Sequence, residues 1–273
     1  FVFSGSAVGS SMPDAVKVSV MENTADRTAI HYQFGKFLQK QITIESVTYN
    51  AVLLKGESNK KEVGAPELPD VSRSIIIADD ALMEVNVVDS SYYDIESFDV
   101  VPSKGYIPRG VTPSDVKYVF GNVYQSDAFF PGPLAQLGEP YIMRDHRGVV
   151  IRVNPFQYNP VQRVLRVYTE MTVEVLAVDS GKINILQRGS GERTLSRAFH
   201  TIYSTHFINY SLAERYDSLD EEGELLIIVH DDWNSNVQPL KTHKESIGIT
   251  TTIQNVSNIP GGGNLDTAIK AYI

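Results

Sequence analysis

Short runs in which apolar and polar residues alternate dominate the chain from Asp14 to about Ser180. Apolar residues at every second position, enriched in Val, Ile, Thr and Tyr, are typical of strands with one buried face. Because turn residues, and no helical spacing, separate these runs, they predict an antiparallel β-sandwich or barrel. The predicted strands are Ala15–Val20, Thr28–Phe34, Ile42–Leu54, Ser74–Ala78, Leu82–Val88, Gly148–Phe156 and Arg163–Val178.

The segment from Val101 to Pro140 interrupts this pattern, because it is rich in proline and glycine. Proline lacks the amide proton that a central strand needs, so we expect an ordered loop here. Its aromatic side chains should cover one edge of the sheet; the alternative is a docking surface for a partner domain. These aromatic residues are Tyr106, Tyr118, Phe120, Tyr124, Phe129 and Phe130.

After Ser180 the spacing changes again. A short helix and a polar linker are predicted first, and the run ELLIIVH (residues 224–230) then predicts a strand buried on both faces of a parallel sheet. A helix ending at Gly248, the strand ITTTIQNV and a helix capped by Asn264 follow. This β–α–β–α order is the opening of a doubly wound α/β domain, and we expect the remainder of that domain to lie beyond Ile273.

Composition narrows the functional classes. The net charge of −9 argues against a nucleic-acid-binding surface, which needs clustered Lys and Arg. No apolar run reaches the roughly 18 residues that would predict a membrane span. The chain has no cysteine, which excludes disulfides, thiolate metal sites and a cysteine nucleophile within it.

Candidate chemistry is sparse. The six histidines show no metal-binding spacing, and no nucleophile elbow or phosphate-binding loop is present. Asp231 and Asp232 follow a predicted buried strand and are weak candidates for calcium ligands. The alternative is that they start a turn and cap the next helix. The residues thus indicate no self-sufficient active site and no required cofactor.

Three segments resemble conserved parts of the prodomain of the gingipain-type (C25) cysteine peptidases of Bacteroidetes. They are VFGNVYQSDAFFP (Val119–Pro131), PYIMRDHRG (Pro140–Gly148) and NPFQYNPVQRVLRVYTEMTVEV (Asn154–Val175). With the later helix and strand segments, the resemblance extends from about Pro102 to Ile273. It implies an inhibitory and folding-assisting β-rich prodomain over residues 1–215. Residues 216–273 would then begin a caspase-like α/β peptidase domain.

The resemblance also implies how the protein matures. Cleavage in this family follows a basic residue, so Arg215 before Tyr216 is the expected site; Arg193 and Arg197 are alternatives, and Arg215 could instead be a plain linker residue. The family's catalytic His and Cys would lie beyond Ile273, so this chain alone should be inactive. A secreted or surface location with the signal peptide removed, structural calcium in the peptidase domain, and protein substrates cut after Arg or Lys are further implications.

A prodomain can block a peptidase by placing a basic side chain in the specificity pocket, where its charge pairs with a carboxylate. Arg144 and Arg147, in the loop of MRDHRG, are the first candidates for this residue, and Arg109 in YIPRG is the third. For Arg144, an ion pair with Asp145 that holds the turn is the structural alternative. The partner of the prodomain would be the remainder of the peptidase domain of the same protein.

Two other functions fit the same sequence. The chain could be a non-catalytic β-sandwich module for adhesion or carbohydrate binding fused to an α/β domain. It could also be a peptidase-like component of surface assembly without activity. A His and a later Cys, each ending a strand beyond Ile273, would favour the peptidase.

Overall fold

The computed structural model describes residues 15–24, 26–187, 195–210, 218–219, 224–261 and 265–273. The chain forms two compact units. The first unit comprises residues 1–191 and 202–211, and the second comprises 192–201 and 212–273.

Antiparallel strands make up the first unit, as the alternating pattern predicts. Its strands are β1 (Lys17–Asn23), β2 (Arg27–Gln33), β3 (Phe37–Ile44), β4 (Val47–Leu54), β5 (Ser58–Asn59), β6 (Pro69–Ile76), β7 (Ala81–Ile95), β8 (Ala135–Leu137), β9 (Tyr141–Met143), β10 (His146–Val153), β11 (Phe156–Asn159) and β12 (Val164–Ser180).

Two five-stranded sheets are each built around one central strand. In the first sheet, β12 pairs with β7 along one edge and with β2 and β11 along the other, and β1 lies outside β2. In the second sheet, β10 pairs with β6 on one side and with β8 and β9 on the other, and β5 lies outside β6. The inner faces of the two sheets share one core, which makes the unit a β-sandwich.

The hydrophobic core of this unit is formed by side chains between residues 16 and 208. Alternate residues of β10 (Val149, Ile151 and Val153) are fully buried, and so are Val173 and Val175 of β12. Each such side chain contributes about 1.5–3 kcal/mol by leaving water. The described members of this core all belong to the first unit, so we expect that unit to fold on its own.

The prediction of a single strand over Ile42–Leu54 is wrong. β3 and β4 form a hairpin in register from Ile44–Val47 to Phe37–Leu54, and Glu45 and Ser46 make its two-residue turn. Their φ angles of 47° and 71° are both positive, as in the two-residue turns whose twist matches the right-handed twist of the flanking strands. Neither residue is Gly or Asn, so the usual turn signal is absent.

The predicted strand Gly148–Phe156 is also divided. Asn154 and Pro155 separate β10 from β11. The Asn154 backbone amide donates to the Leu134 carbonyl, which extends the register of the β10–β8 pair by one residue. Pro155 has no amide proton to donate. The chain therefore passes from the second sheet into the first at this point.

The proline-rich segment is an ordered loop, as predicted, with a short 3-10 turn at Asn122–Gln125. Tyr124 and Phe130 pack against the core, and the Tyr124 hydroxyl donates to the Val100 carbonyl at 2.8 Å. Phe120 packs against Tyr49. These rings cover the edge of the sandwich, whereas Tyr106 is 87% exposed.

The second unit contains parallel strands and helices. Its elements are β13 (Leu195–Ser196), β14 (Ser218–Leu219), β15 (Leu225–Val229), α2 (Asn234–Ser246), β16 (Thr251–Asn255) and α3 (Leu265–Tyr272); the helix α1 (Arg197–His206) spans the position where the two units divide. β15 pairs in parallel with β16 across α2, in the predicted order. Gly248 has φ 86° and donates to the Glu245 carbonyl, so it ends α2 as expected.

Candidate functional site

The turn between β9 and β10 presents Arg144 at the surface. Met143 pairs with His146, so Arg144 and Asp145 alone make the turn. Arg144 has φ 48°, in the left-handed region that few non-glycine residues adopt. Its side chain is 47% exposed, and its Nε lies 3.6 Å from Asp145 Oδ2. Arg144 and Asp145 therefore form the ion pair that the sequence analysis gives as the alternative to a role for Arg144 in inhibition.

A hydrogen bond from a buried tyrosine to Asp145 holds this turn in place. Its carboxylate accepts a hydrogen bond from the Tyr203 hydroxyl at 2.9 Å, and the Tyr203 side chain is fully buried. Burial and the bond to Asp145 raise the pKa of Tyr203 to about 12. The phenol therefore stays protonated at neutral pH and remains a donor to the turn.

Residues 203–209 cover the outer face of β6 and β10 next to this turn. The His146 ring lies edge-on to Tyr203, with the centroids 4.6 Å apart. A Cβ on Gly148 would lie 2.6 Å from the Phe207 ring, so this packing requires glycine there. The Asn209 side chain accepts from the Ile76 amide at 2.7 Å and donates to its carbonyl at 2.9 Å, as a neighbouring strand would.

Arg147 lies inside the sandwich, not on the turn. It is only 1% exposed, because alternation along β10 places it on the same face as the buried Val149. Its guanidinium donates to the carbonyls of Ala78, Ala81, Ile183 and Asn184, at distances between 2.8 and 2.9 Å. Burial lowers the pKa of Arg147, and the nearby carboxylates of Asp79 and Asp80 oppose that shift.

These four carbonyls lie at one end of the first sheet and in the segment that links the two sheets. Residue 78 lies between β6 and β7, Ala81 is the first residue of β7, and residues 183 and 184 follow β12. Since β6 and β10 belong to the second sheet and β7 and β12 to the first, Arg147 joins the two sheets at one end. This buried position and its four hydrogen bonds indicate a structural role for Arg147 within the sandwich.

The loop of residues 104–118 projects Arg109 into solvent. Lys104 closes the neck of this loop, because its Nζ donates to the Pro113 carbonyl at 2.8 Å and lies 4.0 Å from the centre of the Tyr118 ring. Burial raises the pKa of Tyr118. The neck therefore holds both ends of the loop while most of the residues between them are exposed.

Arg109 occupies a tight turn at the far end of this loop. The Val111 amide donates to the Pro108 carbonyl at 3.1 Å, and Gly110 takes φ 97°. Arg109 is exposed, and among the described residues no hydrogen bond or ion pair engages its guanidinium. Among the three candidate arginines, Arg109 thus has a backbone held in a turn and a guanidinium that makes no hydrogen bond or ion pair with the described residues.

Asp231 and Asp232 lie after β15, in the 3-10 turn Asp231–Trp233 of the second unit. The Asp231 carboxylate accepts from the Ser257 hydroxyl at 2.5 Å, and this bond lowers the pKa of Asp231. The Asp232 side chain is 82% exposed and lies 3.5 Å from His230 Nδ1. In the part of the chain that the structure describes, no group of three His, Asp or Glu residues could hold a metal ion.

The predicted maturation site lies outside the described residues. Arg215 and Tyr216 belong to the stretch 211–217, and Arg193 and Asn264 also fall in ranges that the structure does not describe. Arg197 begins α1, although its side chain is not described. Among the described helices, none is long and apolar enough to cross a membrane.

Together these features define a β-sandwich module that exposes Arg109 at the tip of a loop, and contacts of Lys104 hold the two ends of that loop together. The chain belongs to the C25 propeptide family (Propeptide_C25), whose family model matches residues 10–211. The chain therefore carries a propeptide of the cysteine peptidase class to which the gingipains belong.

The relatives are much longer than this chain. It is 34% identical to gingipain R2 of Porphyromonas gingivalis over 203 residues, which cover 74% of this chain and 27% of the relative. It is 35% identical to gingipain R1 of the same species over 203 residues, which cover 74% of the chain and 20% of the relative. The chain thus spans about a quarter or less of the length of these relatives.

Two solved structures share the fold. The first is the complex of Porphyromonas gingivalis RgpB pro- and mature domains, with a TM-score of 0.64 and 31% identity; the match covers 71% of this chain and 97% of that one. The second concerns the zymogenic latency of gingipain K from the same species, with a TM-score of 0.52 and 22% identity over 60% of this chain and 94% of that one. The second likeness bears on the fold alone.

Replacement of Arg147 tests whether the buried guanidinium holds the two sheets together. Arg147→Met should lower the free energy of unfolding of the first unit by about 3 kcal/mol or more, because it leaves buried carbonyls without donors. Urea unfolding of residues 1–215, followed by circular dichroism, measures this change. Arg144→Ala is the matched control, and we expect a loss below about 1 kcal/mol there because the side chain is half exposed. Equal losses in the two variants would contradict the assignment.

Proposed function

We propose that residues 1–215 keep their own peptidase domain inactive until cleavage, by inserting Arg109 into its substrate pocket. The observation that supports this most is the projecting loop of residues 104–118. Membership of the C25 propeptide family supplies the class of target. The solved structure of the relative RgpB is a complex of its pro- and mature domains.

The loop meets the physical requirements of a substrate-like inhibitor. A flexible loop would lose conformational entropy on binding, whereas one already held at its neck by Lys104 loses less. At the tip, Pro108 and Gly110 fix the turn that exposes Arg109. A guanidinium can form a bidentate pair with a carboxylate at the base of a pocket, which gives both energy and orientation.

The other two arginines fit this role less well. Arg147 donates to four backbone carbonyls inside the sandwich and could bind elsewhere only if the sheets separated. Arg144 is exposed, but its guanidinium lies beside Asp145, and breaking that contact would oppose binding. Arg144 is therefore the second candidate.

The second unit is, in this proposal, the start of the peptidase domain. Its parallel β15–α2–β16 order followed by α3 is that of a doubly wound α/β sheet at its beginning. The chain has no cysteine, so the nucleophile would come from the remainder of the peptidase domain. The mature enzyme would cut proteins after Arg or Lys, outside the cell or at its surface. Asp231 is the candidate calcium ligand in that domain, and its bond from Ser257 would orient the carboxylate, as hydrogen bonds to ligating carboxylates do.

Inhibition in trans tests the role of Arg109. Residues 1–215 added to the mature peptidase domain of the same zymogen should inhibit competitively against a small Arg substrate. Arg109→Ala should raise the inhibition constant about 30-fold or more, equivalent to about 2 kcal/mol, because a buried charged contact is lost.

Arg144→Ala and Lys117→Ala are the controls for that experiment. Lys117 is an exposed cation of the same loop, so its removal changes the charge without touching the tip. Both controls should leave the inhibition constant within about threefold, as is usual for exposed contacts. If Arg144→Ala weakens inhibition and Arg109→Ala does not, the assignment of Arg109 is wrong.

Maturation of the full zymogen tests the junction. We expect the mature chain to begin at Tyr216, and Arg215→Ala to prevent cleavage at that bond, since the enzyme would act after a basic residue. Intact-mass analysis and N-terminal sequencing give the new terminus. Arg193→Ala and Arg197→Ala should leave it unchanged. A mature chain that begins at another residue in the wild type would exclude Arg215.

A further inference from the structure

The strand pair β13–β14 joins two segments that lie on opposite sides of the expected maturation site. The two strands are parallel, and their register places Leu195 opposite Ser218 and Ser196 opposite Leu219. Parallel strands need a crossover connection of a dozen or more residues, and here α1 and the segment that contains Arg215 provide it. β13, α1 and β14 therefore form one β–α–β unit. A cut after Arg215 would divide this unit between two chains.

β13 belongs to the same compact unit as the segment that begins the peptidase domain. The second unit comprises residues 192–201 together with residues 212–273. Residues 192–201 precede Arg215 in the sequence, so after a cut there they would belong to the propeptide chain. The boundary between the two compact units therefore does not coincide with the boundary between the two mature chains.

The propeptide side of this β–α–β unit is also fixed to the sandwich. Tyr203 near the end of α1 and Phe207 just after it are buried within the first unit. The Ile208 amide donates to the Ser74 carbonyl at 3.0 Å, and Asn209 follows with its two bonds to the backbone of β6. Since all of these residues precede Arg215, the cut would leave their contacts intact and β13 attached to the sandwich through α1.

On the other side of the cut, β14 would lie almost at the new N-terminus. Hydrolysis of the bond between Arg215 and Tyr216 adds one water and leaves a carboxylate and an amine, and Ser218 then stands two residues after that amine. A pair of two-residue strands is too short to hold two proteins together by itself. Where Arg109 already joins the same two chains, however, the pair closes at the high effective concentration that the first contact sets. A weak second contact can then slow dissociation of the complex.

We propose that β13 stays paired with β14 after the cut, and that this pair retains the cleaved propeptide on its peptidase domain. The inference rests on the proposed function, which supplies the cut and the first contact at Arg109. A cut after Arg197 or after Arg215 leaves β13 on the propeptide and β14 on the peptidase, so either site meets the requirement. Hydrolysis alone therefore does not release the peptidase domain, because the strand pair must also open.

Cross-linking after the cut tests whether the pair persists. The full zymogen carrying Leu195→Cys and Ser218→Cys is cleaved by a trace of mature peptidase and only then oxidised. Opposed residues of paired strands lie about 4.8 Å apart, within the Cα separation that a disulfide spans. We expect a covalent propeptide–peptidase product on a non-reducing gel that separates into two chains on reduction.

The matched control for cross-linking is Gln187→Cys with Ser218→Cys. Gln187 is exposed and lies outside the strands and helices, and the chain has no natural cysteine that would compete. Because residues without a paired position do not hold the short distance that a disulfide needs, the control should give at most about a tenth of the product.

The dissociation rate of the cleaved complex tests whether the pair retains the propeptide. Leu195→Pro and Ser196→Pro are compared singly, because proline removes an amide proton and one of these two amides faces β14. That variant should dissociate about tenfold faster than the wild type, since the second contact is lost. Gln187→Pro is the control and should change the rate less than about twofold. Recovery of activity toward the small Arg substrate after dilution gives the rates.

The outcomes separate this inference from the proposed function. Cross-linking at the level of the control, or dissociation of both β13 proline variants at the rate of Gln187→Pro, would overturn the strand-pair inference and leave the role of Arg109 standing. An Arg109→Ala zymogen that cross-links and stays fully inhibited would overturn the role of Arg109 alone. A mature chain that begins at Ala198 would overturn Arg215 and leave the strand pair standing. One that begins at Thr194 would overturn both, because β13 and β14 would then lie on the same chain.

Discussion

The architecture of the first unit depends on one buried guanidinium. Arg147, in β10 of the second sheet, donates to four carbonyls at the start of β7, after β12 and in the segment that precedes β7, so one side chain ties the second sheet to the end of the first. A hydrogen bond from a charged donor contributes about 1.5–3 kcal/mol, and leaving a buried carbonyl without a donor is unfavourable by a similar amount. Arg147 is the second residue of β10, so it follows the Arg144–Asp145 turn by two positions. The two sheets and that turn are thereby held as one body.

The proposed function needs this rigidity because the active loop contributes little to the core itself. Residues 104–118 are mostly exposed; Lys104 holds the two ends of the loop together, and the Ser103 hydroxyl bonds to the Lys60 carbonyl just before the loop begins. A loop held in this way can present a basic side chain with little further ordering. The sandwich thus supplies a rigid base, and the contacts at the neck hold the loop in a fixed position on it. Arg109 is the residue of the loop that remains available to bind a partner.

Sequence alternation predicted the β-sandwich well because burial on one face of a strand imposes a period of two. It also contained an unused signal: counting back from Val153 in steps of two places Arg147 on the core face. The turn at Glu45–Ser46 could not be predicted, since both residues adopt left-handed φ angles without Gly or Asn. The availability of Arg109 could not be predicted either, because it depends on Lys104 reaching Pro113 and Tyr118 across the loop.

The most direct test of this account is the accessibility of each arginine before and after the propeptide meets its peptidase domain. Arginine-selective dicarbonyl labelling of residues 1–215, free and in complex, can be read residue by residue with mass spectrometry. The account predicts that Arg109 is labelled in the free propeptide and strongly protected in the complex, that Arg144 is labelled equally in both, and that Arg147 is labelled in neither. Equal labelling of Arg109 in the two states, with protection of Arg144, would contradict it.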